Sequence, residues 1–217
     1  MMIMIYGKRK QGKSTLAFSI AIAEHPRVLV FDPSGNFPTV RTIKLDQVRD
    51  WLNKFQDAEV GSEYTFARVT GFRTEDIPEA FAEFCDALFD GDTFEHELSV
   101  IVDEAHMLQG RNYIDPNLDR IQRKVPSDST LIETTHRIVD SDVNTRYHVD
   151  VFFFFYADLD RELKKIREDF GPEIAERVSQ LKQYEVIEWK RPQGQQPVMV
   201  LWDEPKAWYV DLKNQNR

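Results

Sequence analysis

Met1-Met2-Ile3-Met4-Ile5-Tyr6-Gly7-Lys8-Arg9-Lys10-Gln11-Gly12-Lys13-Ser14-Thr15 opens the chain, and its reading decides the fold. Gly7 to Ser14 fits the phosphate-binding pattern G-x-x-x-x-G-K-[ST] without a mismatch. The pattern needs a strand before it and a helix after it. The apolar run Met1 to Tyr6 supplies the first, and the helical spacing of Leu16, Ala17, Ile20 and Ala21 supplies the second. Glycines let the backbone wrap a polyphosphate so that successive N–H groups point inward. Lys13 then reaches the β- and γ-phosphates, Ser14 ligates Mg²⁺, and the helix N-terminus adds the positive end of its dipole. The expected nucleotide-binding set is Gly7, Lys8, Arg9, Lys10, Gln11, Gly12, Lys13, Ser14 and Thr15, with Lys13 also acting on the reacting phosphate.

Working outward, Arg27 to Phe31 reads as a buried strand closed by the turn Asp32-Pro33-Ser34-Gly35-Asn36. Strand C-termini carry the ligand crevice of a parallel sheet, so Asp32 is placed either near the nucleotide or simply as a turn-forming residue. Residues 44–57 carry Leu45, Val48, Trp51, Leu52 and Phe55 on one helical face, and residues 64–69 alternate like a strand. A helix starts near Ile77, with Asp76 and Glu79 spaced as a capping box. Further strands are expected at Leu98–Val102, at Thr130–Thr135 and through the phenylalanines of residues 149–156; these last are read as core rather than as a base-stacking platform. Helices marked by Leu159, Leu163, Ile166 and Phe170, then by Ile174, Val178 and Leu181, meet at Gly171-Pro172. Residues 184–189 and 198–202 suggest a strand pair around Pro192-Gln193-Gly194, before a frayed tail from Asn214. This alternation predicts an α/β fold, a doubly wound and mostly parallel sheet flanked by helices. One domain is expected over residues 1–217, with a C-terminal helical and β-hairpin extension over about 157–213.

Length and composition narrow the classes. The 217 residues suffice for one large α/β domain and not for two. A net charge of −9 argues against a generally basic surface, so any nucleic-acid contact must be local. Cys85 is the sole cysteine, which excludes a disulfide framework and a cysteine metal site, and it falls on the apolar face of a helix. No apolar stretch reaches membrane-span length and no signal peptide is read at the start, so a cytoplasmic setting is expected.

The run Leu98–Val102 ends in Asp103-Glu104-Ala105-His106, about ninety residues after the phosphate loop. Asp103 would complete the Mg²⁺ shell begun by Ser14, and Glu104 would orient or deprotonate the attacking water. His136 follows Thr134-Thr135 at a strand end, where a polar residue can touch the γ-phosphate and report hydrolysis. His106 is read as orienting or packing beside the acidic pair rather than binding metal, because no matching His or Cys ligand set is visible. The absence of an N/T-K-x-D motif favours ATP over GTP.

Four segments, Gly7–Ser14, Val30–Gly35, Val100–His106 and Leu131–Arg137, together resemble the HerA/FtsK superfamily of P-loop ATPases. The resemblance implies a RecA/FtsK-like fold and Mg²⁺-dependent ATP hydrolysis coupled to translocation of double-stranded DNA. It also implies a homo-oligomeric ring, hexameric or pentameric, whose sites are completed by an arginine from the neighbouring subunit. The absence of extra domains is similar to viral genome-packaging ATPases, with capsid or membrane vertex proteins as further partners in host cytoplasm or at the virion vertex. Arg123, in a short helix over 118–124, fits the arginine in trans, with Arg120 as its rival. The superfamily usually has Gln where His136 stands. Two other readings stay open: a phage assembly or export ATPase of zonula occludens toxin type, and an ATP-dependent switch that needs no DNA. A two-lobed DEAH helicase does not fit the length. Arg111-Asn112-Tyr113, just past the acidic pair, is a candidate DNA-contacting loop.

Overall fold

Strand β1 (Met2–Tyr6) is buried at every position and sits inside a sheet that the rest of the chain builds around it. The structure is a computed structural model that describes residues 1–35, 37, 41–54, 65–90, 93–94, 97–110, 112–141, 143–191 and 199–202. In chain order the strands are β1, β2 (Arg27–Phe31), β3 (Arg41–Thr42), β4 (Thr65–Val69), β5 (Phe89–Asp90), β6 (Thr93–Phe94), β7 (Leu98–Val102), β8 (Gln109–Gly110), β9 (Tyr113–Ile114), β10 (Thr130–Thr135), β11 (Val151–Phe154), β12 (Val186–Lys190) and β13 (Met199–Trp202). The helices are α1 (Lys13–Glu24), α2 (Val48–Asn53), α3 (Ile77–Leu88), α4 (Pro116–Lys124), α5 (Val143–His148), α6 (Asp160–Phe170) and α7 (Pro172–Gln180). Nine strands form the main sheet in the order β13-β12-β11-β1-β10-β7-β2-β4-β3, while β5-β6 and β8-β9 are small hairpins. All neighbours from β11 to β3 run parallel; β12 and β13 continue the same sheet antiparallel. Among the described residues no helix is long and apolar enough to cross a membrane.

Strand alternation divides the core between the two faces of the sheet. Ile3, Ile5, Ile101, Ile132, Phe153 and Phe155 turn toward Leu16, Ala17, Ile20 and Ala21 of α1. Met2, Met4, Tyr6, Phe152 and Phe154 turn the other way, into a cluster with α3, α4, α6 and α7. There Phe81 and Phe84 pack their rings 5.0 and 5.3 Å from Phe31. Phe170 stands edge-on to Phe152 and Phe154 at 4.7 and 4.9 Å. The phenylalanine run is therefore core, as expected, and Cys85 is buried within it.

Some local expectations change. The capping box at Asp76 and Glu79 does not form, because a 3₁₀ turn over Thr74–Asp76 runs directly into α3. Asp76 already has helical backbone (φ −90°, ψ −8°) and makes no side-chain cap. Pro78 in the first turn lacks the N–H that would need one. The 44–57 helix is a 3₁₀ turn (Leu45–Gln47) followed by α2, and residues 55–57 lie outside the described residues, as do the 192–194 turn and the tail from Asn214. Helix α5 was not expected, since its interior contacts are polar: Thr145 and Arg146 are the buried side chains described within it.

One polar network crosses this interior. Glu133, on β10, is fully buried and accepts hydrogen bonds from Gln122 Nε2 (2.6 Å) on α4 and Gln109 Nε2 (3.2 Å) on β8. Thr145 Oγ1 on α5 donates in turn to Gln122 Oε1 at 3.2 Å. Burial pushes the Glu133 carboxyl up to about 7, against the two amide donors that favour its charge. A carboxyl raised in this way contributes stability below its unfolded pKa and loses it as pH rises through about 7. Glu133→Gln should therefore gain on the parent protein between about pH 5 and about pH 8 in urea unfolding. A stability difference that stays constant across that range would contradict the assignment.

Candidate functional site

Register brings the motif residues to one edge. Tyr6 stands level with Thr135 and Phe154, Val102 with Phe31, and Val102 with Glu133. The residues that follow β1, β2, β7 and β10 (Gly7, Asp32, Asp103 and His136) consequently emerge together at the carboxyl edge of the strands. This is the edge where parallel sheets bind ligands.

The phosphate loop is shaped by packing as well as by its own sequence. A Cβ on Gly7 would lie 2.5 Å from Phe155 Cβ, so no other residue fits there without movement. Gly12 precedes α1 with φ +102°, a left-handed conformation open to glycine. Lys13 is only 7 % exposed. Its ammonium donates to the loop's own carbonyls, Gly7 O at 2.8 Å and Lys8 O at 3.0 Å. Burial lowers its pKa, opposed by the charges of Glu104 and Asp103. Lys8 pairs with Asp158 at 2.5 Å, Arg9 and Lys10 are exposed, and Gln11, Ser14 and Thr15 are partly buried.

Asp103 receives three hydroxyls. Thr134 Oγ1 donates to its Oδ1 at 2.5 Å, Ser14 Oγ approaches the same oxygen at 3.5 Å, and Ser34 Oγ donates to Oδ2 at 3.2 Å. Burial pushes this carboxyl up to about 6, with the charges of Glu104 and Asp32 adding to the rise and the Thr134 and Ser34 donors opposing it. Asp32 is a turn-forming residue, and Ser34 links it to Asp103 at the strand edge. Asp32 Oδ2 accepts from Phe37 N at 3.1 Å and pairs with Arg68 Nη1 at 3.2 Å, shaping the turn, while Ser34 Oγ also reaches Asp32 Oδ1 at 3.3 Å. A desolvated carboxylate crowded by two others and fronted by a serine hydroxyl is a donor set that fits a hard divalent cation. Ser14 and Asp103 are the residues that could hold one.

Glu104 has left-handed backbone (φ 53°, ψ 42°), and its N–H donates to Thr134 Oγ1 at 3.2 Å. One threonine hydroxyl thus holds both members of the acidic pair. The Glu104 carboxylate is 2.8 Å from His136 Nδ1 and 3.3 Å from His106 Nδ1, and the two imidazoles stand 4.0 Å apart at 73°. Burial, then His136, pulls the His106 pKa down. The segment after His136 is anchored from below. Glu162 Oε2 accepts from Ile138 N (2.9 Å) and Val139 N (3.3 Å), and Arg146 Nη1 donates to Ser141 O at 2.6 Å. Neither anchor was expected. Glu162 had a signal, since it is a charged residue on the apolar stripe that carries Ile166 four positions later; Arg146 had none.

Arg123 is exposed on α4 and bonds Asp119 Oδ1 at 2.7 Å. Arg120 lies 3.9 Å over the Phe89 ring and 3.3 Å from Asp86. Neither belongs to the cluster at the strand edge. Asn112 and Tyr113 are exposed, Tyr113 as the first residue of β9 in the small β8-β9 hairpin, and Arg111 lies outside the described residues.

No family model and no curated protein matches the sequence. Solved structures do match the fold. The genome packaging NTPase B204 from Sulfolobus turreted icosahedral virus 2, in complex with AMPPCP, is similar over 91 % of this chain and 95 % of its own, with a TM-score of 0.69 and 19 % identity. Its complex with ATP-gammaS gives a TM-score of 0.66 over the same shares, at 19 % identity. The pCW3 conjugation coupling protein TcpA, with ATPgS, is similar over 98 % of this chain and 64 % of its own, at 13 % identity and a TM-score of 0.52. The chain thus has the P-loop NTPase fold of these proteins, a doubly wound, mostly parallel sheet flanked by helices.

Proposed function

We propose that this chain is an ATPase, converting ATP and water to ADP and phosphate, and that it works as a ring motor on double-stranded DNA in genome packaging. The observation that carries the reading is the convergence of Lys13, Ser14, Asp103 and Glu104 on one strand edge, with Thr134 bridging the two acids. Lys13 is the phosphate ligand: its ammonium sits on two neutral carbonyls and can exchange them for anionic phosphate oxygens, to which its hydrogen bonds are stronger. Mg²⁺, held by Ser14 and Asp103, would neutralise charge on the phosphate oxygens. Glu104 is the general base that takes the proton of the attacking water, and His136 fixes its carboxylate and senses the γ-phosphate. DNA as partner is supported by the fold shared with a packaging NTPase and a conjugation coupling protein. At a net charge of −9 the DNA contact is confined to a few loops of a ring interior, the segment around Tyr113 among them. The ring docks on a capsid or membrane vertex, in host cytoplasm or at the virion.

Steady-state ATP hydrolysis with and without duplex DNA tests this reading. The parent rate should rise with duplex of any sequence and lose that stimulation steeply with salt, as expected for phosphate contacts. Glu104→Gln should keep ATP binding and lose roughly 10²–10⁴-fold in turnover. A rate indifferent to duplex at low salt would favour the DNA-independent switch, and a Glu104→Gln rate near the parent's would remove the base.

Arg123 is the finger that reaches the neighbouring subunit's ATP. Its exposed pair with Asp119 is worth about 0–1 kcal/mol and breaks readily, whereas Arg120 is committed to Phe89 and Asp86. Loss of a finger costs roughly 10³–10⁵ in turnover. Arg123→Ala subunits mixed with Lys13→Ala subunits should recover activity, because an intact site then meets an intact finger at some interfaces. Absence of recovery in demonstrably mixed rings would overturn the role.

A further inference from the structure

We propose that Glu104, His106 and His136 form a transition-metal site of the zinc class, separate from the oxygen-donor position at Ser14 and Asp103, and that filling it switches hydrolysis off. The three donor atoms lie within 4.8 Å of one another. Glu104 Oε2 is 2.8 Å from His136 Nδ1 and 3.3 Å from His106 Nδ1. Two ligands each about 2.1 Å from a tetrahedral zinc stand about 3.4 Å apart. Both edges to Glu104 are thus within an ångström of that length.

A second observation points the same way. His106 Nδ1 is buried and makes no hydrogen bond, although it faces the Glu104 carboxylate. An imidazole nitrogen and a carboxylate oxygen that face each other without a hydrogen bond make a poor contact, and in the tautomer protonated at Nε2 they make a good pair of ligands. The frame is rigid: Thr134 pins the backbone of Glu104, and Glu162 and Arg146 pin the segment after His136. The side chains of His106 and His136 remain 12 % and 18 % exposed, which leaves an entry path and a position for water. Two imidazoles and one carboxylate suit Zn²⁺, Co²⁺ or Ni²⁺, whereas Mg²⁺ prefers oxygen alone, so the two positions select different ions. The switching clause rests on the proposed role of Glu104: a carboxylate bound to metal cannot take the proton of water.

Tag-free full-length protein, without nucleotide, is titrated with Co²⁺ and followed by the visible absorption of tetrahedral cobalt, with Zn²⁺ then displacing it. One Co²⁺ per chain should bind. His106→Ala, and His106→Gln should the smaller side chain unfold the turn, should lose at least about 10-fold in affinity, since even outer partners of a metal site cost 10–100-fold. Ser14→Ala should bind Co²⁺ as the parent does. Absence of a saturable band, parental affinity in both His106 variants, or loss in Ser14→Ala would overturn the site. Micromolar Zn²⁺ should suppress Mg²⁺-supported ATP hydrolysis in the parent and spare the His106 variants. Cobalt binding without that suppression would retain the site and overturn the switch, while the Glu104→Gln rate judges the base separately.

Discussion

Three carboxylates, Asp32, Asp103 and Glu104, are buried side by side where the parallel strands end, and the surrounding structure answers the cost of putting them there. A charge removed from water without partners is unfavourable by several kcal/mol. Here Asp32 takes Arg68 and a backbone N–H, Asp103 takes three hydroxyls, and Glu104 takes an imidazole. Burial still pushes the Asp103 carboxyl up to about 6 despite its hydroxyl donors. A cation beside it would restore the balance, which is why the edge reads as a ligand site rather than as a set of structural ion pairs.

The strand order converts that local balance into a site. Strand β10 lies between β1, which delivers the phosphate loop, and β7, which delivers the acids. Its Thr134 therefore touches both acids, and His136 leaves its end directly against Glu104. On the inward side of the same strand, Glu133 joins α4 and the β8 hairpin to the sheet through Gln122 and Gln109. Glu133, which holds α4 through Gln122, and Thr134, which holds both acids, are thus adjacent residues of one strand.

Much of this is legible in the sequence. Arg27–Phe31, Leu98–Val102 and Thr130–Thr135 are continuous runs rich in β-branched residues and bounded by turn residues, and the observed strands share those bounds. Helices α3 and α6 declared themselves through apolar periodicity. The phosphate loop and the acidic pair were readable because their chemistry depends on contiguous residues. What escaped depends on contacts between distant segments. The meeting of His106 with His136 follows only from β7 lying next to β10, which residue spacing does not encode. Helix α5 and the anchors Arg146 and Glu162 bury polar groups against backbone, and an apolar-stripe reading passes over them.

The proposed chemistry requires Lys13 and Asp103 to face the same phosphate end of a nucleotide. A crystal structure with Mg²⁺ and a non-hydrolysable ATP analogue examines this directly. Lys13 Nζ should leave the Gly7 and Lys8 carbonyls and lie about 3 Å from a γ-phosphate oxygen, with metal density joined to Ser14 and Asp103. A nucleotide bound away from the strand edge, or a lysine still seated on those carbonyls beneath a bound analogue, would contradict it.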